Sequence, residues 1–206
     1  AMVSCPAYDL LNMGASLEDE DSPFFNRATA AYSVGSTFKI CVAAAALEMG
    51  YSTGYSYECD GCYELEDQNF HCHNRYGHGW LDMAGALRRS CNPYFINLGL
   101  HVGGQAIYNM AYAMGFGSAS RLGSGVTSAA GELPEIGQLT GGELANFSFG
   151  QGKLTATPVQ VAQMVASVAN GGMSVSPTVY LGTTRDGGSV LRDGETVPSR
   201  RVMSEA

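Results

Sequence analysis

The sequence predicts an α+β fold, in which a group of helices precedes an antiparallel hairpin. The clearest helix covers 37–49, a segment that is rich in alanine, nearly free of helix breakers and closed by Gly50. Near the end of the chain, alternating residues on both sides of Asp186-Gly187-Gly188 are typical of a hairpin with strands at 179–184 and 189–192. The chain has 206 residues, 45% of them hydrophobic, which is enough for one domain with a sizeable core.

Four further segments have helical spacing or the signals of a helix start and stop: 81–89, 93–101, 104–115 and 159–170. By contrast, 51–80 has no periodicity, and we expect it to form a loop or small hairpin that projects from the domain. The Gly- and Ser-rich stretch 116–142 is predicted to be a long functional loop.

The charge of the chain argues against nucleic acid as a partner. Its net charge is −8, from 11 basic and 19 acidic residues, and the basic residues form only two short pairs, Arg88-Arg89 and Arg200-Arg201. The longest apolar run, 40–47, is too short to span a membrane. We therefore expect either a cytoplasmic protein or a part that has been separated from a membrane anchor.

Ser36 and Lys39 form a Ser-x-x-Lys pair at the start of the strongest helix. The i, i+3 spacing places both side chains on one helix face. A serine hydroxyl needs a neighbouring base to become a nucleophile, and lysine can be that base when burial lowers its pKa. The helix N-terminus adds N–H groups that stabilise a developing oxyanion. Taken alone, however, such a pair is more often a capping serine and a surface lysine than a catalytic pair.

A second polar motif, Ser90-Cys91-Asn92, lies between two predicted helices, where a short turn can face the first helix. The Ser90 hydroxyl can relay a proton, and the Asn92 amide can hold a substrate carbonyl or N–H. The alternative is an N-cap pair before Pro93. Ser-x-x-Lys followed by Ser-x-Asn is a catalytic set of penicillin-recognising enzymes.

Further segments of a family pattern occur in order along the chain: Asn26-Arg27-Ala28-Thr29 before Ser36, Gly77-His78-Gly79 before Ser90, and Gly131-Glu132-Leu133-Pro134, Gly150-Gln151-Gly152, 155–160 and 169–172 after Asn92. Over roughly residues 4–180, this pattern resembles the transpeptidase domain of class B penicillin-binding proteins. The resemblance implies a penicillin-binding/serine β-lactamase-like fold, with a helical subdomain and part of an antiparallel sheet that is incomplete in this chain.

The resemblance also implies a D,D-transpeptidase activity that needs no cofactor. Ser36 would attack the bond between two D-alanines of a peptidoglycan stem peptide, with Lys39 as base, Ser90 as proton relay and Asn92 positioning the peptide. β-Lactams would trap Ser36 as an acyl-enzyme. The implied partners are stem peptides, β-lactams and cell-wall synthesis proteins. The implied location is the extracytoplasmic face of a bacterial membrane, with the parent protein anchored there.

One element of the family pattern is absent from the sequence. The family's third motif, Lys-Thr-Gly or Lys-Ser-Gly, supplies a carboxylate-binding lysine and part of the oxyanion hole. This chain has two lysines, and the second, Lys153, belongs to a different family segment. We therefore expect residues 1–206 to be a partial transpeptidase domain, and a naturally incomplete, inactive protein is the alternative. Loss of one oxyanion donor costs about a hundredfold or more in rate.

Three cysteines of the 51–80 segment form a local pattern. Cys59 and Cys62 make a Cys-x-x-Cys knuckle, and Cys72 follows between two histidines. Such ligands suit tetrahedral zinc, which would stabilise the loop. The sequence leaves the fourth ligand open among His71, His73, His78 and Asp60.

Two other states of these cysteines remain open. A Cys59–Cys72 disulfide would suit an extracytoplasmic setting, and the thiols could instead be free. The resemblance adds that family members often carry a cysteine pair like Cys59 and Cys72, with Cys62 as an addition. Cys91, like Cys5 and Cys41, is predicted to be a small packing residue.

Two other functions compete with the transpeptidase. A serine β-lactamase shares Ser-x-x-Lys but needs a base for rapid deacylation, and no candidate stands near the motifs. A penicillin-sensing or interaction domain would keep the fold without turnover. A lasting penicillin adduct on Ser36 would support the transpeptidase or the sensing domain, whereas rapid turnover would indicate the β-lactamase.

Overall fold

Short helices build the buried body of the molecule, and its strands are paired two by two. The structure, a computed structural model, describes residues 2–180, 182–184, 187, 190–193 and 199–205. Within these ranges no helix has the length and hydropathy needed to cross a bilayer. The α-helices of the described part are α1 (Met13–Leu17), α2 (Lys39–Glu48), α3 (Met83–Arg88), α4 (Asn92–Val102), α5 (Gly104–Ala113), α6 (Gly141–Ser148) and α7 (Pro158–Ala169).

The strands are all short and antiparallel. They are β1 (Tyr32–Ser33), β2 (Tyr57–Cys59), β3 (Cys62–Leu65), β4 (Gln68–His71), β5 (Gly79–Leu81), β6 (Arg121–Gly123), β7 (Val126–Thr127), β8 (Thr155–Ala156), β9 (Met173–Ser174), β10 (Gly182–Thr184), β11 (Val190–Asp193) and β12 (Arg200–Arg201). The pairs are β1–β8, β2–β5, β3–β4, β6–β7, β9–β12 and β10–β11. The predicted α+β class is confirmed.

Helix α2 is buried along most of its length, as its alanine-rich sequence predicts. It continues a 3-10 turn at Gly35–Phe38, and its residues Cys41–Ala46 are all buried. The Phe38 ring packs 5.5 Å from that of Phe116 and 4.8 Å from that of Phe147, measured between centroids. The start of α2 is therefore fixed in the core.

Helix α4 packs against both α2 and α6. Gly99 permits a close approach of α6, since a Cβ at this position would overlap the side chain of Ser148. The stretch 116–142, predicted to be a loop, contains the β6–β7 hairpin and a 3-10 turn at Ile136–Gln138, and α6 begins at its end. Helix α6 was absent from the sequence prediction because two glycines open it.

A buried side chain ties this stretch to α7. Thr157 and Gln160 form a capping box at the start of α7, and Gln160 Nε2 donates to the carbonyls of Gly115, Ser118 and Ala130 at 3.0, 3.0 and 2.7 Å. The helix predicted over 159–170 is present as Pro158–Ala169, one residue earlier at each end.

The 51–80 segment contains the two antiparallel pairs β2–β5 and β3–β4, whereas a loop or small hairpin was predicted. It does not project from the domain as expected, because β2, β3 and β4 contact α4 and Cys59 and Cys72 are buried in the core. The hairpin predicted near the end of the chain is present as β10–β11. Residues 181, 185–186 and 188–189 of that prediction lie outside the described residues.

Candidate active site

One buried amine joins the two sequence motifs. Lys39, the first residue of α2, is 1% exposed. Its Nζ lies 3.1 Å from Ser36 Oγ and donates to Ser90 Oγ at 3.0 Å, to the Ser90 carbonyl at 2.8 Å and to Asn92 Oδ1 at 2.6 Å. The four residues predicted to be catalytic are thus brought together around one nitrogen.

A tight turn presents the Ser36 hydroxyl to solvent. Ser36 lies in the 3-10 turn before α2 and is exposed, whereas Lys39 lies beneath it. Gly35 has a φ of 60° and donates its N–H to the Gly150 carbonyl at 2.9 Å. Gly150 must be a glycine, because a Cβ there would overlap the carbonyl of Gly35. The family-like 150–152 segment therefore supports the turn that carries Ser36.

Ser90 occupies the left-handed position that ends α3. Asp82 caps the start of this helix by accepting from the Gly85 N–H at 2.7 Å. At its end, Ser90 N–H donates to the Leu87 carbonyl and Cys91 N–H to the Ala86 carbonyl, both at 3.0 Å, which is a Schellman arrangement. Ser90 has a φ of 50°, where glycine is the usual residue. A serine in this sparsely populated conformation is a candidate functional residue, and its hydroxyl accepts from Lys39 Nζ.

We call Ser36, Lys39, Ser90 and Asn92 the junction. Asn92 links the junction to the 51–80 segment. It is the first residue of α4, where its side chain leaves the helix start toward Lys39. Its Nδ2 donates to the His71 carbonyl at 3.3 Å, so a strand residue of that segment orients the amide.

Burial governs the protonation of Lys39. Desolvation lowers its pKa from the ordinary value of 10.5 to about 8, while the thiols of Cys91 and Cys72 act in the opposite direction. The Phe95 ring centroid lies 5.8 Å from Nζ, on an apolar side of the site. A substantial fraction of Lys39 is therefore neutral near pH 8 and can accept the proton of Ser36.

The junction opens into a cleft. Its lining in the described part of the chain consists of Ser36, His73, His78, Arg88, Arg89, Ser90 and Asn92. None of these residues is acidic. Lys153, the other lysine, is exposed on a loop and donates to Gln138 Oε1 at 3.4 Å instead of lining this cleft.

Three cysteines and one histidine converge behind Ser90. The ligand atoms of Cys59, Cys72, His78 and Cys91 all lie within 4.8 Å of one another. The three cysteines are buried and His78 is half-buried. In a tetrahedral zinc site with thiolates at 2.3 Å, the sulfurs stand about 3.8 Å apart, so only small movements would close this group around an ion. We call these four residues the cysteine group.

The cysteine group differs from the ligand set predicted from sequence. Cys62 is outside it: this residue begins β3, where it pairs with His71, and its sulfur is not among the ligand atoms that meet. Cys91, predicted to be a packing residue, is inside it, because its place between Ser90 and Asn92 turns its side chain toward the 51–80 segment. Of the four proposed fourth ligands, the structure brings in His78, whose Nδ1 is 3.6 Å from Cys72 Sγ.

Backbone contacts hold the cysteine group in place. His78 N–H donates to the Cys59 carbonyl, and Cys72 N–H to the Gly61 carbonyl, both at 2.9 Å. A Cβ at Gly77 would overlap the carbonyl of Cys59, so the two ends of the segment are in direct contact. These contacts are long-range, which explains why spacing in the sequence did not identify the whole set.

Comparison with known proteins relates the whole chain to one family. Residues 1–206 match the family described as penicillin binding protein transpeptidase domain. Stage V sporulation protein D of Bacillus subtilis is 31% identical over 189 residues, which cover 86% of this chain and 27% of that protein. Peptidoglycan D,D-transpeptidase PbpA of Mycobacterium tuberculosis is 30% identical over 227 residues, covering 99% of this chain and 45% of the relative.

A solved structure shows the same fold with a covalent ligand. Penicillin-binding protein A from M. tuberculosis, in its penicillin G acyl-enzyme complex, superposes with a TM-score of 0.84 at 26% identity. The superposition covers 99% of this chain and 50% of that structure. The chain therefore spans half or less of the length of these proteins.

Proposed function

Because the chain belongs to the penicillin-binding protein transpeptidase domain family, we propose that it carries the nucleophile of a peptidoglycan D,D-transpeptidase. The observation that carries this proposal is the contact of one buried amine, Lys39 Nζ, with Ser36, Ser90 and Asn92. The name of the PbpA relative and the penicillin G acyl-enzyme of its structural counterpart support it.

The proposed reaction begins at Ser36. Neutral Lys39 takes the Ser36 proton, and Oγ attacks the carbonyl carbon between the two D-alanines while Asn92 holds the peptide. The C–N bond breaks, and the departing D-alanine takes a proton from the Ser90 hydroxyl, which Lys39 replenishes. The amine of a second strand then attacks the acyl-enzyme, forms the cross-link and restores the Ser36 hydroxyl.

Two parts of the reaction fall to groups that these residues do not supply. No Lys-Thr-Gly or Lys-Ser-Gly occurs in the 206 residues, so the anchor for the terminal carboxylate is assigned to no residue of this chain. The same holds for the oxyanion donor of that motif. We also propose that the protein acts on peptidoglycan stem peptides at the extracytoplasmic face of the membrane. Membrane anchorage and cell-wall synthesis partners belong to the same proposal.

The composition of the cleft favours a transpeptidase over a serine β-lactamase. Rapid hydrolysis of an acyl-enzyme needs a base that activates water. The lining residues of the described part include no carboxylate, and Lys39 is already engaged with the nucleophile. We therefore expect a long-lived penicillin adduct.

Labelling with benzylpenicillin tests the proposal. In the 206-residue chain, or in a longer protein that contains it, intact mass should rise by one penicillin, and peptide mapping should place the adduct on Ser36. Ser36→Ala should remove the label, whereas Ser56→Ala, which changes an exposed serine outside the cleft, should leave it unchanged. Release of the drug within minutes would support a β-lactamase, and the absence of any adduct would contradict acyl transfer altogether.

We also propose that the cysteine group binds a structural zinc ion. Three thiolates and one imidazole are a common donor set for closed tetrahedral sites, and the four atoms already lie within 4.8 Å of one another. Burial raises the pKa of the Cys91 thiol, so zinc binding would displace its proton. The ion would join the 51–80 segment to the turn that carries Ser90.

Native mass spectrometry under reducing conditions, after purification with zinc, tests this site. We expect one zinc per chain, its loss in Cys91→Ser and its retention in Cys62→Ser. A metal-free protein with a Cys59–Cys72 disulfide before reduction, or zinc that persists in Cys91→Ser, would contradict the site.

A further inference from the structure

Two adjacent arginines line the mouth of the catalytic cleft without a role in the proposed acyl transfer. Arg88 is the last residue of α3 and Arg89 its C-cap, directly before the proton relay Ser90. Both are exposed, and both line the same cleft as Ser36 and Asn92. Within the described ranges, neither forms an ion pair with a carboxylate. Their guanidinium groups are therefore available to a ligand in the cleft.

The charge of the cleft is opposite to that of the chain. The chain carries a net charge of −8, whereas the described lining of the cleft holds two arginines and no acidic residue. Local positive charge on an acidic protein raises the local concentration of anions at that place, and arginine binds carboxylates through two parallel hydrogen bonds.

The backbone fixes these arginines relative to the reacting atoms. The Schellman turn that ends α3 sets Ser90 at its φ of 50°, and the same turn sets the direction in which the two preceding side chains leave. A simpler role exists for basic residues here, since they interact favourably with the C-terminal end of a helix dipole. That role predicts an effect on stability alone.

We infer that Arg88 and Arg89 form a subsite for a carboxylate of the acyl-donor peptide. This inference rests on the proposed function, and it adds a requirement for a negative charge on the substrate. Two carboxylates have this chemistry: the terminal one of the peptide and one on a residue that precedes the two D-alanines. The family pattern gives the terminal carboxylate to its third motif, whereas the arginines line the cleft of Ser36 and Asn92, which favours the second carboxylate.

A matched pair of penicillins separates the two sources. Carbenicillin is benzylpenicillin with one additional carboxylate on its acyl side chain, so both compounds share the ring carboxylate that stands for the terminal one. The measurement is the second-order rate constant for acylation of Ser36 by each compound, in the wild type and in the double variant Arg88→Gln/Arg89→Gln. Arg75→Gln is the control, since it removes an exposed arginine of the 51–80 segment that does not line the cleft.

The inference predicts that the double variant loses about three- to tenfold in the carbenicillin rate, with a smaller change for benzylpenicillin and none in Arg75→Gln. An equal loss with both compounds would also support the subsite and assign it to the terminal carboxylate. Unchanged rates with both compounds, accompanied by a lower melting temperature, would overturn the subsite in favour of the helix-dipole role.

Reversible binding provides a readout that does not depend on acylation. In a Ser36→Ala background, calorimetry should detect tighter binding of a D-Ala-D-Ala peptide with a free carboxylate before the D-alanines than of its carboxamide analogue. The Arg88→Gln/Arg89→Gln change should abolish that difference. Equal binding of the two peptides when the arginines are present would exclude a carboxylate that precedes the D-alanines. If Arg88→Gln/Arg89→Gln also leaves the affinity of both peptides unchanged, the inference is wrong even where penicillin labelling succeeds.

Discussion

The junction and the cysteine group meet at the turn of residues 90–92, yet they are assembled in different ways. Within each motif the junction depends on local geometry, because Ser36 and Lys39 are three residues apart at a helix start and Ser90 and Asn92 flank one turn. The fold then brings the two motifs together, since Lys39 and Ser90 are 51 residues apart. The cysteine group depends on contacts between segments that are distant in the sequence. Chemistry that follows helix geometry can be predicted from spacing, whereas a group assembled by hairpins requires the fold.

The two regions are also connected. Cys91 belongs to the cysteine group and stands between Ser90 and Asn92. The carbonyl of His71, next to Cys72, accepts from the Asn92 amide at 3.3 Å. The 51–80 segment thus supports the Asn92 side of the junction. Variants can separate the contribution of the junction residues to acylation from that of the supporting segment.

The largest effect is expected from removal of the buried amine. Lys39→Met keeps a side chain of similar length but removes the base, so acylation by benzylpenicillin should fall by about 10²–10⁴-fold. Lys153→Met is the matched control, because this exposed lysine lies outside the cleft, and it should acylate like the wild type. If both variants lose acylation rate to a comparable extent, the contact of Lys39 with Ser36 does not determine how fast Ser36 is acylated.

The next largest effect is expected from changing Gly150, which supports the turn that carries Ser36. Gly150→Ala should lower the free energy of unfolding by about 2–3 kcal/mol and slow acylation, because a Cβ would overlap the Gly35 carbonyl. Gly50 has nearly the same φ, 88° against 87°, but open space around it, so Gly50→Ala isolates the conformational cost of about 1 kcal/mol. Chemical denaturation measures both, and equal losses would remove the role assigned to the close contact.

A smaller effect tests the connection between the regions. Cys72→Ala should slow acylation about tenfold, since loss of a proposed zinc ligand would loosen the strand whose His71 carbonyl orients Asn92. Cys62→Ala should leave the rate near that of the wild type, because Cys62 lies outside the cysteine group. The rates are compared with benzylpenicillin in the presence of zinc, and a slow Cys62→Ala variant would show that the connection is general loop packing.

The sequence predicted the elements whose signals are local. The alanine-rich segment, the proline starts of α4 and α7 and the Asp82 cap identify helices directly, and all appear in the structure. Helix α6 escaped because Gly141 and Gly142 open it, so its stability comes from packing against α4 and not from propensity.

The site shows the same division. Ser36, Lys39, Ser90 and Asn92 were identified from two short motifs and their order in the family pattern, and the fold brings the two motifs together around Lys39 Nζ. Cys91 was not, because its role depends on how the 51–80 segment folds back on α4, which no short pattern encodes. Its position inside the Ser90-Cys91-Asn92 motif was the available signal.

The pH dependence of Ser36 acylation tests the central claim most directly. Burial lowers the pKa of Lys39 from 10.5 to about 8, and the reaction needs the neutral amine. The second-order rate constant with benzylpenicillin should therefore rise about tenfold per pH unit from pH 6 and level off above pH 8. A rate that is constant between pH 6 and pH 9, or that falls as pH rises, would contradict Lys39 as the base that activates Ser36.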